Sequence, residues 1–273
     1  EYLDLRGEVA VSVVTGRDGS RAIYPAVDTE QSNGMCVSVT APSQLPLVVQ
    51  QAGTVVFERY GTMPDTPFGP GGPVTADTTL VSWSMAKSIT HALVGLAVVD
   101  GLLDVDAPAP VPSWRGTDKA AITLQHLLTM RSGLEFVEDY VDAGVSHCIE
   151  MLFGSGQDDM AAYAAALPLV HEPGAVWSYS SGTTNIVASI VGDAVAAAAG
   201  VAQGDADGRR GALESYLADR LFGPLGMTSA VPRFDTAGTF VGSSFVFATA
   251  RDFARFGELY RLDGVTPEGR RVL

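Results

Sequence analysis

Ser84 and Lys87 form an S-x-x-K pair in the stretch LVSWSMAKSITHALVG, residues 80–95. A serine hydroxyl attacks a carbonyl only when a neighbour takes its proton. On a helix, residues i and i+3 share a face, about 5–6 Å apart at Cβ, so a lysine amine can reach the serine oxygen. The start of a helix adds free N–H groups and partial positive charge, which favour an alkoxide or an oxyanion. Desolvation or a nearby cation brings a lysine toward the range where it exchanges protons. The chain has only two lysines, Lys87 and Lys119, and otherwise uses arginine. The pair also admits a plain reading: Ser84 as an N-cap and Lys87 as a solvated first-turn residue.

The second group is WSYSSGTTN, residues 177–185, after the turn His171-Glu172-Pro173-Gly174. A phenol held near a cation gives up its proton more easily, so Tyr179 is a candidate general base. The plain alternative is a half-buried tyrosine whose hydroxyl is satisfied locally. His91, one turn beyond Lys87, either faces the site or sits in the core or its rim. His126, His147 and His171 lack metal-ligand spacing, and His171-Glu172-Pro173 is not H-E-x-x-H. There is no G-x-S-x-G elbow, P-loop or dinucleotide fingerprint.

The elements that must position these groups follow from pattern. Residues 7–14 and 36–40 alternate as strands do. Residues 45–61 read as a hairpin turning near Gln51-Ala52-Gly53. Residues 62–78 are rich in Pro and Gly and read as a loop. A helix is expected from about Ser84, with Ile89, Ala92, Leu93, Leu96 and Ala97 on one face and Gly101 as its stop. Further helices are expected at 122–131, 158–167, 181–200, 212–222 and 249–262. The order is strands, then helices, with few strands late. That suggests a helical domain (107–234) set into an α/β domain (45–106 and 235–273) whose closing strands are not visible, behind an N-terminal extension (1–44).

A formal net charge of −14 disfavours nucleic acid, which needs clustered Lys and Arg, and is read as solubility. Hydrophobic content of 47% and charged content of 18% suit a globular chain. Cys36 and Cys148 are far apart and read as free thiols. The longest apolar run, Ile186 to Ala202, is short for a membrane span and carries Asp193, so it reads as a buried helix. No signal peptide is visible at Glu1-Tyr2-Leu3-Asp4, and the placement expected is cytoplasmic.

Taken together, the motifs resemble the serine β-lactamase and penicillin-binding-protein superfamily, nearest its class C β-lactamase-like branch of β-lactamases, DD-peptidases, esterases and 6-aminohexanoate-oligomer hydrolases. Ser84-Met85-Ala86-Lys87 resembles the S-x-x-K box. Residues Leu127 to Leu134 (LLTMRSGL) are similar to the L-L-T-x-x-S-G-L segment. Trp177-Ser178-Tyr179-Ser180 resembles the tyrosine box, and Pro224-Leu225-Gly226-Met227 the P-L-G-M segment. The four come in the family's order and cover roughly 45–273.

The resemblance implies an α/β fold of the β-lactamase/transpeptidase kind, an antiparallel sheet flanked by helices with an inserted helical domain. It implies an acyl-enzyme on Ser84, with Lys87 and Tyr179 sharing proton transfer, and it implies no metal or organic cofactor. Ser181 stands where the family's Y-x-N box has Asn, a substrate-binding position. The shorter hydroxyl favours a small ester or amide over a β-lactam. The family's third box, K-T-G or H-x-G, which also supplies one oxyanion N–H, is not found, so the chain reads as a family member cut short. The leading expectation is a serine hydrolase acting on a small-molecule ester or amide. Its alternatives are a β-lactamase or DD-peptidase, or a non-catalytic ligand-binding relative or inactive truncated member. The sequence sets no oligomeric state.

Overall fold

The structure is a computed structural model that describes residues 2–4, 10–15, 21–25 and 46–273, apart from 52, 66–69, 141 and 143. The chain divides into two compact units, Glu1–Thr78 with Thr249–Ala254, and Thr79–Ala248 with Arg255–Leu273.

In the first unit, β1 (Tyr2–Asp4), β2 (Ala10–Thr15) and β3 (Arg21–Pro25) form an antiparallel sheet in that order. The strand pattern at 7–14 falls partly on β2, while the one at 36–40 lies outside the described residues. The hairpin consists of β4 (Leu47–Gln51) and β5 (Thr54–Arg59), with Val49 opposite Phe57 and a register shift after Val49. Gly53 turns it at φ 79°, a conformation that costs glycine nothing. The Pro- and Gly-rich stretch is not all loop, since β6 (Thr62–Met63) pairs with β7 (Gly72–Pro73). Arg251 grips Glu58 with two hydrogen bonds of 2.6 Å.

The second unit starts with β8 (Thr79–Val81), a 3-10 turn over Trp83–Met85, and α1 (Ala86–Val99). Regular helix thus begins two residues after Ser84. Ile89 and Leu93 on its inner face are fully buried, and Gly101 at φ 71° ends it where the sequence indicated. Helix α2 (Leu124–Leu128) is shorter than the 122–131 expected. Thr123 and His126 close its start with a reciprocal capping box, which gives His126 a local structural task.

Helix α3 (His147–Phe153) has no counterpart in the sequence reading, and α4 (Met160–Ala166) falls inside the 158–167 expected. Helix α5 (Ser181–Ala198) is the buried helix that the long apolar run indicated. Ser180 caps it by accepting from Thr183 N at 2.9 Å. Its Ala188 and Val191 are fully buried, and α1, α2, α4 and α6 pack around it. Helix α6 (Ala206–Leu217) begins earlier than expected and runs into a π-helical segment, Ala218–Phe222, then α7 (Gly223–Leu225). Strands β9 (Val231–Pro232) and β10 (Val246–Thr249) complete a small sheet in the order β8-β10-β9. Helix α8 (Ala250–Arg261) follows. The whole is an α/β arrangement of helices with small antiparallel sheets. No helix among the described residues is long and apolar enough to cross a membrane.

Candidate active site

The segment that carries Ser84 is tied down on its N-terminal side. Ser82 N donates to Val246 O at 2.8 Å, and Ser82 Oγ donates to Ser244 O at 2.9 Å. Trp83 then takes φ 44°, a left-handed conformation that costs a non-glycine residue about 1–3 kcal/mol. This kink presents Ser84 on an exposed 3-10 turn at the mouth of α1. Ser84 is not an N-cap: Ser82 and Met85 hold the cap positions of the 3-10 turn and of α1. Its Oγ accepts a hydrogen bond from Lys87 Nζ at 3.1 Å.

Lys87 is half-buried and spends its hydrogens on three oxygens. Besides Ser84 they are Ser181 Oγ at 3.0 Å and the carbonyl of Ser243 at 3.0 Å. The carbonyl comes from a loop laid against α1. Thr90 Oγ1 donates to Gly242 O at 2.9 Å, and a Cβ on Gly242 would lie 2.3 Å from that same hydroxyl. Only glycine lets the loop approach so closely. Asn185, fully buried on α5, accepts from Ser243 N at 3.0 Å. It therefore braces the loop from inside and does not face Ser84.

Tyr179 and Ser181 arrive at the start of α5. The Lys87 Nζ lies 4.9 Å from the centroid of the Tyr179 ring, a cation–π distance. Among the described residues no hydrogen bond links the Tyr179 hydroxyl to Ser84 or Lys87. Ser181 is 2% exposed, and its neighbour Gly182 is demanded by Phe136, whose ring would meet a Cβ at 2.4 Å. His91 is exposed on α1, and no hydrogen bond ties it to Lys87 among the described residues.

The sequence reading missed Glu138. Its carboxylate accepts from Ser181 N and from Ser181 Oγ, both at 2.6 Å, and from the Tyr140 hydroxyl at 2.7 Å. The loop that carries it is held on both sides. Val137 N donates to His147 Nδ1 at 2.9 Å, and the Ser146 hydroxyl donates to Asp139 O. Burial, then Glu138 itself, raises the Tyr140 hydroxyl above its usual range, so it stays a donor. Behind Ser181 and Glu138 sits the buried thiol of Cys148, pushed up to about 12 chiefly by burial. No motif announces Glu138: it is one acid of FVEDY in an acidic chain.

An apolar wall borders the nucleophile. Trp83 packs on Phe245 with ring centroids 5.8 Å apart, and Phe245 packs on Phe153 at 6.2 Å. Trp83, Phe153 and Met85 are each more than half exposed, at 53%, 58% and 51%. No group of three or more His, Cys, Asp or Glu side chains fit for a metal occurs among the described residues. The site thus offers an exposed hydroxyl, an amine at hydrogen-bond distance, a phenol beside that amine, and apolar surface for a substrate.

The β-lactamase family profile matches residues 45–273. The chain belongs to the β-lactamase family. Protein Rv1367c of Mycobacterium tuberculosis is 29% identical over 268 residues, covering 81% of this chain and 64% of that protein. A Bacillus anthracis structure provisionally named a 6-aminohexanoate-dimer hydrolase superposes with TM-score 0.66 at 20% identity, covering 96% of this chain and 62% of its own. Simvastatin synthase (LovD) from Aspergillus terreus gives TM-score 0.55 at 21% identity, with 83% and 65% covered. The chain therefore spans somewhat under two thirds of these relatives. The structural likenesses establish the fold of this β-lactamase-family chain, an α/β fold of the kind the resemblance implied.

Proposed function

We propose that this chain is a serine hydrolase that cleaves a small ester or amide through an acyl-enzyme on Ser84. The observation that carries the reading is the 3.1 Å hydrogen bond between Lys87 Nζ and an exposed Ser84 Oγ. A proton acceptor within hydrogen-bond reach of the nucleophile is the first geometric requirement of such chemistry. Ser84 Oγ bonds to the substrate carbonyl carbon as its proton passes to Lys87. The tetrahedral intermediate collapses, and the alcohol or amine leaves with a proton returned by the Lys87–Tyr179 pair. Water then attacks the acyl carbon, with Tyr179 as its base. The acid departs, and the serine hydroxyl is restored.

Two features favour an ester or simple amide over a β-lactam. Ser181 is engaged with Lys87 and Glu138, so its hydroxyl is not a free side-chain amide that could grip a β-lactam's acylamino group. The Trp83–Phe245–Phe153 wall, exposed at Trp83 and Phe153, suits an apolar acyl group. The test is intact-mass labelling with a fluorophosphonate, followed by hydrolysis of p-nitrophenyl esters of increasing acyl length. One adduct on the wild type and none on Ser84→Ala is the expected result. A folded wild-type chain without an adduct overturns the reading.

A further inference from the structure

The protons around Lys87 can be assigned one by one. The Ser243 carbonyl only accepts, so one Nζ hydrogen always points there. A serine hydroxyl carries a single hydrogen, and that of Ser181 goes to Glu138 Oε1. Toward Lys87, Ser181 is therefore an acceptor, which claims a second Nζ hydrogen. One position on the nitrogen is left, and it faces Ser84. In the ammonium it is a third N–H; in the neutral amine it is the lone pair.

We infer that Glu138 is a positioning residue that, through the Ser181 hydroxyl, aims the one reversible hydrogen bond of Lys87 at Ser84. The inference rests on the serine hydrolase reading. A glutamine at 138 has one acceptor oxygen for the two Ser181 donors, and once that oxygen takes Ser181 N the hydroxyl is free to turn and donate to the neutral amine. The lone pair of Lys87 is then occupied by Ser181, and Ser84 loses its proton acceptor. The other titratable groups that face this cluster are Tyr179 beside Lys87 and Tyr140 and Cys148 beside Glu138. The last two are held in their protonated forms.

The loop geometry supports this role. Anchors on either side, at Val137 and Asp139, hold Glu138 in place before any substrate arrives. A carboxylate needed only to cap α5 could accept from Ser181 N alone. This one takes the Ser181 hydroxyl as well, at the same 2.6 Å.

The experiment measures the rate of fluorophosphonate adduct formation at Ser84 against pH, by intact mass, in wild type, Glu138→Gln, Ser181→Ala and the double variant. Glu138→Gln should lower the plateau rate about 10²-fold, the scale of one acid–base contribution. The double variant should be no slower than the slower single, since both break one relay. A wild-type rate in Glu138→Gln overturns the inference. So do effects that multiply in the double variant, the signature of a structural prop. If Glu138→Gln does not fold, Ser181→Ala carries the test, and an unchanged rate there is equally decisive against it. A wild-type chain with no adduct refutes the hydrolase reading itself. A wild-type adduct with an unaltered Glu138→Gln refutes the relay alone.

Discussion

Helix α5 has one cation docked at its start and another along its middle, and the two are built differently. Near its start, Lys87 meets Ser84, Ser181 and the Ser243 carbonyl. At its middle, Arg209 of α6 donates to Ser189 Oγ at 2.8 Å and Ser189 O at 3.0 Å, and to Thr239 Oγ1 at 2.8 Å. Its Nε lies 2.9 Å from Asp193 Oδ1. A guanidinium carries its charge at every accessible pH and has no lone pair to offer. Arg209 therefore works as a pin that joins α5, α6 and the 237–239 loop. Lysine has fewer hydrogens and can lose one. Surrounded by the same kinds of oxygen, it keeps two bonds fixed and one reversible. The contrast separates a cation that holds the fold from one that can serve chemistry on it.

The sharpest way to break the contrast is to put a guanidinium at the chemical end. Lys87→Arg keeps the charge and removes the reversible proton. It should lower the rate of Ser84 adduct formation by about 10³-fold or more, as loss of a nucleophile's activating base does. Thermal unfolding measured alongside should show that the chain still folds. A Lys87→Arg chain that labels at the wild-type rate would move the proton acceptor to Tyr179.

The complementary change is Arg209→Ala. It strips donors from Thr239 and Ser189 and the charge partner from Asp193, at a side chain only 14% exposed. Loss of several charged hydrogen bonds at one buried site should lower stability by about 2–4 kcal/mol, read by denaturant unfolding. The adduct rate per folded molecule should stay at the wild-type value. A chain that keeps its stability but loses its labelling would mean that the pin reaches the site.

What the sequence disclosed of this arrangement was local. Ser84 and Lys87 meet because three residues of helical or 3-10 chain bring them together, and that spacing is visible in any window. The hairpin at Gly53, the stop at Gly101 and the buried run of α5 are equally local signals. Glu138 and the Ser243 carbonyl were not legible. The first reaches Ser181 across 43 positions of chain through an irregular loop, and the second is a backbone atom that no residue type announces. Helix α3 is only seven residues long, too short for its period to stand out, yet its His147 anchors the Glu138 loop. Helix α6 hid its first turns behind Gly208 and Gly211, which weaken any helical pattern. Asn185, four residues past the Ser181 that stands where the tyrosine box has Asn, braces the 243 loop, a task that no local pattern announces.

The smallest predicted effect tests whether the ground beneath Lys87 is dry, as the relay through Ser181 requires. Cys148 lies there, 2% exposed, its thiol raised from an ordinary 9.0 to about 12 by burial first and by Glu138 second. Alkylation needs the thiolate. In a Cys36→Ser background, iodoacetamide should modify Cys148 at least about 10²-fold more slowly in the folded chain than in urea, combining the thiolate deficit with occlusion. The linkage has a definite sign. A thiol whose value is higher in the folded state than in the unfolded one adds stability below about 9, and that stability drains away as pH climbs toward about 12. Cys148→Ala removes the titrating group, so its stability should fall less steeply than that of the parent above pH 9. Parallel curves would mean that water reaches the thiol. Water there would also reach Glu138, satisfy its oxygens in place of Ser181, and leave the serine hydroxyl free to turn toward Lys87.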